Sequence, residues 1–318
     1  VDSAALTRLR ETGECDFDLP EVFFDLFYPG HYRRRIRSVR LSVPCVTGPY
    51  TNVPATLALT GSKIRRDPTL GAEHLLDVPL RRSVAIATST GQNDSGVFEF
   101  SFRDERYMPF EGAGAVSSWQ LSLPKTFRPF DYQTITDVIV HISYTAESDG
   151  VLRQAVEELD ATIDGTIANY LSSNGLARTF SLRQEFSSAL NRLVHSPVGT
   201  PVPIEITDRH LSIFLRGRDL QIGSAKLVLR TPPGQTVAGV SIRVGSMTLS
   251  GFATDPDLGG VWSVDASAAL AGGLLGDRTF TVVAAGDLAP DAPVPGDTSA
   301  LDEAKVSDIM LHVELGLA

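Results

Sequence analysis

Two histidines, His141 and His312, occupy matching places in two apolar, strand-like runs. An imidazole can ligate a metal or move a proton, but a metal site needs further ligands at suitable spacing, and none accompanies either residue. The expectation is therefore two satisfied structural histidines. Asp104-Glu105-Arg106-Tyr107 gathers two carboxylates, a guanidinium and a phenol in one polar stretch. It reads either as the rim of an interaction surface or as a plain turn. Nothing in the spacing of the acidic residues nominates a general acid–base pair. Arginines cluster at Arg33-Arg34-Arg35, Arg37 and Arg40, and again at Arg65-Arg66 and Arg81-Arg82. They either pair with carboxylates of the same molecule or offer a contact surface to an acidic protein partner.

Catalytic signatures are missing from the sequence: there is no G-x-S-x-G, H-E-x-x-H, G-x-x-x-x-G-K-[ST] or C-x-x-C. Gly112-Ala113-Gly114-Ala115 lacks the third glycine of a dinucleotide loop and is not set in a βαβ unit. Asp255-Pro256-Asp257-Leu258-Gly259-Gly260-Val261-Trp262 contains a D-x-G-x-x-W stretch that resembles the Asp-box turn of sialidase propellers. Those folds repeat it blade after blade, whereas here it occurs once, so a turn packed on Trp262 is expected. A calcium loop on Asp255 and Asp257 would be short of oxygen ligands. Two cysteines, Cys15 and Cys45, are too few for a disulfide scaffold, and Cys45 reads as a buried free thiol. No catalytic, cofactor-binding or metal-binding residue is nominated.

These groups must be held by a β-rich scaffold. The 318 residues suggest about two domains, and 42% apolar with 21% charged residues is ordinary globular composition. The net charge of −10 argues against nucleic-acid binding and against attraction to anionic membranes. No apolar run is long enough to span a bilayer, and no signal peptide is visible after Val1-Asp2-Ser3. Short alternating runs rich in Val, Ile, Thr and Ser predict strands at 21–28, 36–46, 55–61, 83–88, 97–102, 117–123 and 137–145. In the second of these, Val39, Leu41 and Val43 share one face while Arg40 and Ser42 share the other. Leu152, Val156, Leu159, Ile163, Ile167 and Leu171 then predict an amphipathic helix ending at Asn174-Gly175, and a short helix follows over 182–194. Strands are expected again at 202–207, 223–231, 237–244, 247–252, 279–285 and 306–315. Gly286–Asp297 reads as a Pro-rich loop.

The two halves resemble each other. Ile135–Ile142 matches Val306–Val313 position by position, 171 residues later, and Ile36–Leu41 resembles Ile222–Leu227. The expected architecture is mainly β: two tandem, mutually similar antiparallel β-sandwich modules joined by an amphipathic helix. The modules would span 15–149 and 176–318, with the connecting helix at 150–175. Asp137 and Asp308 would cap the closing strands through side-chain to backbone bonds.

Several longer blocks carry a specific resemblance. They are Glu11–Phe17, Phe23–Tyr32, Ser42–Thr51, Thr90–Gly96, Asp104–Ala115, Phe130–Tyr132, Asp137–Ala146 and Phe180–Phe186. Together they resemble the C-terminal region of the A component of Tc toxins, the large bacterial and mainly insecticidal ABC toxin complexes. The likeness runs over about residues 5–235 and resumes at the closing strand. The segment 237–298 departs from it. The resemblance implies a non-enzymatic domain that docks the β-propeller of the B component, in an A chain that is homopentameric at full length and belongs to a secreted or cell-surface-associated toxin. It implies no nucleic-acid partner and no membrane insertion by this region. Residues 1–14 would be the end of a channel helix and its exit. Docking needs loops on a rigid scaffold, here 61–80, 90–96, 103–115 and 286–300. The candidate contacts in them are Asn93, Asp94, Asp104, Glu105, Arg106 and Tyr107. A second reading is a carbohydrate-binding β-sandwich for host-receptor recognition, with Tyr50, Tyr107 or Trp262 stacking on sugars. A glycosidase is the third reading, and only the Asp-box-like turn suggests it.

Overall fold

The computed structural model describes residues 3–48, 51–79, 83–90, 97–101, 109–160, 176–211, 215–217, 219–291 and 297–317. The chain is mainly β, and its described residues form four antiparallel sheets. It divides into two compact units, one of residues 5–170 and one of residues 171–318 with the first four. No helix among the described residues is long and apolar enough to cross a membrane.

The first unit begins along α1 (Ser3–Thr12), whose Ala5 and Leu9 are buried one turn apart. Gly13 ends it in the left-handed region, donating its N–H to the Leu9 carbonyl at 2.9 Å. β1 (Glu14–Leu19) follows, then α2 (Glu21–Asp25), where the sequence suggested a strand over 21–28. The run Val22-Phe23-Phe24 looks strand-like, but one helical turn puts Glu21 and Asp25 on the same side, where two buried arginines need them. The remaining elements are β2 (His31–Pro44), β3 (Asn52–Arg65), β4 (Leu75–Asp77), β5 (Ser83–Thr90), β6 (Val97–Ser101), β7 (Val116–Ser122), β8 (Ile139–Ser148) and α3 (Gly150–Asp160). One sheet has the order β1-β7-β3-β4, with β5 also on β3; the other has the order β6-β2-β8. The expected loop at 61–80 is partly sheet. After a register shift at Leu59/Gly61, β3 continues to Arg65 and pairs with β7 and β4.

Both sheets feed one core. Ile36, Val39, Leu41 and Val43 of β2 cluster with Leu57, Leu59, Trp119 and Leu121 of β3 and β7. The alternation read from β2 holds, since these apolar residues are buried while Arg40 is exposed. Trp119 is fully buried, edge-on to Phe110 at 4.9 Å, and its indole N–H donates to Ser117 Oγ at 2.8 Å. Cys15 and Cys45 are both buried free thiols. Gly114 lies so close to β3 that an added Cβ would stand 2.0 Å from the Lys63 carbonyl oxygen.

Beside this core lies an ionic cluster. Arg34 and Arg65 are 3% and 6% exposed, so both guanidinium groups have lost their water. Glu21 replaces it: Arg65 donates to its two oxygens at 2.9 and 2.6 Å, and Arg34 donates to one at 3.1 Å. Asp25 also accepts from Arg34, and the Phe24 ring lies 5.6 Å from the Arg34 guanidinium. Burial pushes the Asp25 carboxyl up from 3.8 to about 6, against the pull of Arg34.

The second unit contains β9 (Leu176–Ser181), α4 (Leu182–Glu185), α5 (Ser187–His195), β10 (Val202–Ile206), β11 (Leu220–Arg230), β12 (Ser241–Val244), β13 (Met247–Ser250), β14 (Ala253–Asp255), β15 (Val261–Asp265), β16 (Gly276–Ala284) and β17 (Asp308–Leu317). The short helix expected over 182–194 is two helices, because Phe186 leaves helical geometry at φ −132 and ψ 46. The sheets have the orders β14-β15-β11-β17-β9 and β10-β16-β12-β13. The segment 237–298 that departs from the family resemblance supplies β12 to β16 to these two sheets.

Two stability predictions follow from the first unit. Gly114→Ala drives a methyl group into the Lys63 backbone and should cost at least about 2 kcal/mol. Denaturant titration of Trp119 fluorescence in a Trp262→Phe background reads this directly. For Asp25, the native state holds a proton that the unfolded chain releases between 3.8 and about 6. Stability therefore falls as pH rises through that window, by up to about 3 kcal/mol. Asp25→Asn should flatten the pH dependence there, and melting curves of both proteins from pH 4 to pH 6.5 (about three points per pH unit) check the sign.

Candidate docking surface

The six residues nominated from the sequence, Asn93, Asp94, Asp104, Glu105, Arg106 and Tyr107, lie outside the described residues, as do Tyr50, Arg81 and Arg82. In the chain they are bracketed by described elements. Residues 91–96 fall between β5 and β6, and 102–108 fall between β6 and the turn that buries Phe110. The loop expected at 286–300 begins with a 3-10 turn, Gly286–Leu288, and Asp287 there accepts from the Ala238 N–H at 3.1 Å.

The arginine clusters divide between the two readings. Arg34 and Arg65 belong to the buried cluster, and Arg66 pairs with Asp67 at 3.3 Å. Arg33 holds Glu147 at 3.0 Å and donates to the Arg66 carbonyl at 2.9 Å. These bonds fix Arg33 at φ 49, a left-handed conformation unusual for a residue with a side chain, where β2 and β8 shift register. Hydrogen bonds from Tyr32 and from Arg33 hold the Glu147 carboxyl below its usual range. The rest point to a surface. Arg35, Arg37 and Arg40 are all exposed on β2, and Arg35 donates to the Gly112 carbonyl at 3.0 Å. Arg37 makes no bond or ion pair among the described residues.

The internal similarity reappears as strand register. β2 pairs with β8 so that Arg40 meets His141, Leu41 meets Val140 and Val39 meets Ile142. β11 pairs with β17 so that Lys226 meets His312, Leu227 meets Leu311 and Ala225 meets Val313. Each pairing skips one residue at the equivalent place, Arg37 in β2 and Gly223 in β11. The third strand agrees too, with Leu41 opposite Phe100 of β6 and Leu227 opposite Val264 of β15. The three strands β6-β2-β8 and β15-β11-β17 are thus one motif used twice. They differ at the edges: the second copy carries β14 on β15 and β9 on β17.

The polar groups of the motif follow those edges. His312 is buried, and its Nδ1 lies 2.8 Å from Thr179 Oγ1 on β9. His141 is exposed, and its Nε2 lies 3.0 Å from Ser42 Oγ. Asp308 is buried and accepts from the Arg183 N–H at 2.9 Å and from Ser181 Oγ; burial pushes its carboxyl up. Its counterpart Asp137 accepts from the Val138 N–H at 2.7 Å. The Asp-box-like stretch is a 3-10 turn over Pro256–Leu258. Asp255 accepts from Lys226 at 2.7 Å, from Ser263 at 3.0 Å and from the Asp257 N–H at 3.0 Å. Burial would raise its carboxyl, but the bonds from Lys226 and Ser263 hold it low. The Trp262 indole donates to the Gln235 carbonyl at 3.3 Å. Among the described residues no three His, Cys, Asp or Glu side chains are grouped to hold a metal.

The buried Glu21–Asp25–Arg34–Arg65 cluster and the strand β9 escaped the sequence reading. The only signal for the first was the four-residue spacing of its carboxylates. β9, with its alternation broken by Arg178, gave none.

Comparison with known proteins bears on residues 1–146, which match the family model described as the Tc toxin complex TcA C-terminal TcB-binding domain. Toxin subunit YenA2 of Yersinia entomophaga is 38% identical over 174 residues. That alignment covers 51% of this chain and 13% of the length of YenA2. The cryo-EM structure of Yersinia pseudotuberculosis TcaA-TcaB has a chain 28% identical to this one over 42% of its length and 7% of the other chain's, at a TM-score of 0.26. Over its first 146 residues this chain is therefore similar to the C-terminal TcB-binding domain of Tc toxin A components.

Proposed function

We propose that this chain is a non-enzymatic docking domain of a bacterial Tc toxin A subunit, which binds the β-propeller of the B component and so assembles the toxin holocomplex. The observation that carries this reading is the match of residues 1–146 to a TcB-binding domain. The identity to a toxin subunit over half the chain supports it. The physical character of the first unit agrees: a well-packed pair of sheets, stiffened by a buried ionic cluster, holds an exposed arginine stripe in fixed positions.

In this reading, the domain comprises β-sandwich modules at 15–149 and 176–318, with residues 150–175 as their connection. The parent A chain is a homopentamer and part of a secreted or cell-surface-associated toxin. Asn93, Asp94, Asp104, Glu105, Arg106 and Tyr107 contact the partner, and the acidic and basic members of this set steer its approach.

Mixing the chain with its cognate B component should give a complex that co-elutes on size-exclusion chromatography with light scattering. Charge reversal by Asp104→Lys, Glu105→Lys or Arg106→Glu should each weaken that complex by about tenfold or more. Unchanged affinity in all three variants would discard these loops as the contact, and failure of the unmodified proteins to associate would discard the docking function.

A further inference from the structure

The two ends of the first unit differ. At one, Ser148 of β8 lies opposite His31, and the chain runs on from there into α3. At the other, β2 ends at Pro44, β7 ends at Ser122 and β8 begins at Ile139. Bonds tie this second end together: Thr136 donates its N–H to the Pro44 carbonyl at 2.9 Å, and Leu123 donates to the Gly13 carbonyl at 2.7 Å.

Three large apolar side chains meet solvent at the Pro44 end. Val46 is 72% exposed, Phe127 80% and Ile139 42%. Apolar side chains left in water in one region of a surface mark a contact site. Their supports are fixed from beneath. Val46 donates its N–H to Thr134 Oγ1 at 3.1 Å. In the loop that carries Phe127, Tyr132 is fully buried and its hydroxyl donates to the Pro124 carbonyl at 2.8 Å. Arg128 lies 4.9 Å from the Tyr132 ring and donates to the Arg10 carbonyl at 3.2 Å. A side chain held out from a fixed backbone loses little freedom when a partner covers it.

The second unit covers the equivalent end with its own chain. Its other sheet repeats that of the first unit, β10-β16-β12 for β1-β7-β3, so the connection 123–138 between β7 and β8 corresponds to 285–307 between β16 and β17. The latter is longer, and its Leu288 and Leu301 are buried. Met310 stands in the place of Ile139, is 4% exposed, and packs with Leu258 of the Asp-box-like turn. Leu258 and Leu288 both belong to the segment 237–298, which departs from the family resemblance. The match to a TcB-binding domain includes Val46, Phe127 and Ile139 and ends before β9. The unit that carries the match is thus the one that leaves this end bare.

We propose that the B component covers the Pro44 end of the first unit, placing an apolar segment of its own on Val46, Phe127 and Ile139. This rests on the docking function proposed above and names where the contact is made. Phe127 is the anchor, as the largest and most exposed of the three, because a few such residues carry most of an interface's energy.

Titration of the 318-residue chain with its cognate B component tests it. Phe127→Ala and Val46→Asp change exposed side chains, so both variants should melt as the unmodified chain does. Each should weaken binding by about tenfold or more, the first by losing the anchor and the second by burying a carboxylate. Phe27→Ala, at an exposed aromatic near the Ser148 end, should bind with unchanged affinity. Hydrogen–deuterium exchange in peptides spanning 123–138 should slow in the complex. A complex that forms with unchanged affinity in both Phe127→Ala and Val46→Asp, or with unchanged exchange over 123–138, overturns this inference and leaves the docking function standing. Absence of any complex between the unmodified proteins overturns both.

Discussion

Two guanidinium groups withdrawn from water constrain much of the first unit. A buried charge without a partner costs several kcal/mol, so Arg34 and Arg65 can sit at the sheet only if carboxylates reach them. Glu21 and Asp25 do so from a single helical turn. That requirement turns an apolar, strand-like stretch into α2 and ties it to β2 and β3 at once. Along β2, Arg34 points inward in step with Ile36 while Arg33, Arg35 and Arg37 stay exposed, the ordinary alternation of a strand. Burial of Arg34 thus turns Arg33, Arg35 and Arg37 outward, and Arg40 is exposed beyond the register shift at Ile36/Ser38.

The repeated motif shows how the same three strands serve different ends. Pairing register, the skipped residue and the opposed polar residues are kept in both copies, so the backbone geometry of the kernel is common to them. What surrounds the kernel differs. In the second unit, added strands cover both edges, bury the histidine and neutralise the lysine. In the first, the histidine and arginines remain in solvent. Among the described residues the second copy is flanked by a strand on both edges, whereas Arg35, Arg37, Arg40 and His141 of the first are exposed.

Much of this architecture was legible because alternation is a local signal. The inward Val39, Leu41 and Val43 and the outward Arg40 follow from period two alone, and the matching octapeptides at 135–142 and 306–313 exposed the repeat. The failures have non-local causes. α2 is dictated by arginines 9 to 44 residues away. β3 overruns its expected end at Gly61 because a register shift lets it continue to β4. β9 is a strand because β17 offers it an edge, which no pattern within Leu176–Ser181 announces. The contact surface was legible as a choice rather than a site. Arg33, Arg34 and Arg37 are near neighbours in sequence, yet only the fold separates the one that pairs with Glu147 and the one that is buried from the one left in solvent.

The arginine stripe has a further consequence for the chain on its own. β8, ten residues long and with no strand on its outer edge among the described residues, is a hazard, since two copies can zip together along it. Antiparallel self-pairing of β8 would put the Arg35, Arg37 and Arg40 stripes of both molecules on one sheet with their β2 strands three spacings, about 14 Å, apart. That separation exceeds the Debye length, about 8 Å at physiological ionic strength, so salt screens most of the repulsion between them. The stripes therefore oppose self-pairing at low ionic strength, and at physiological salt that protection is largely gone.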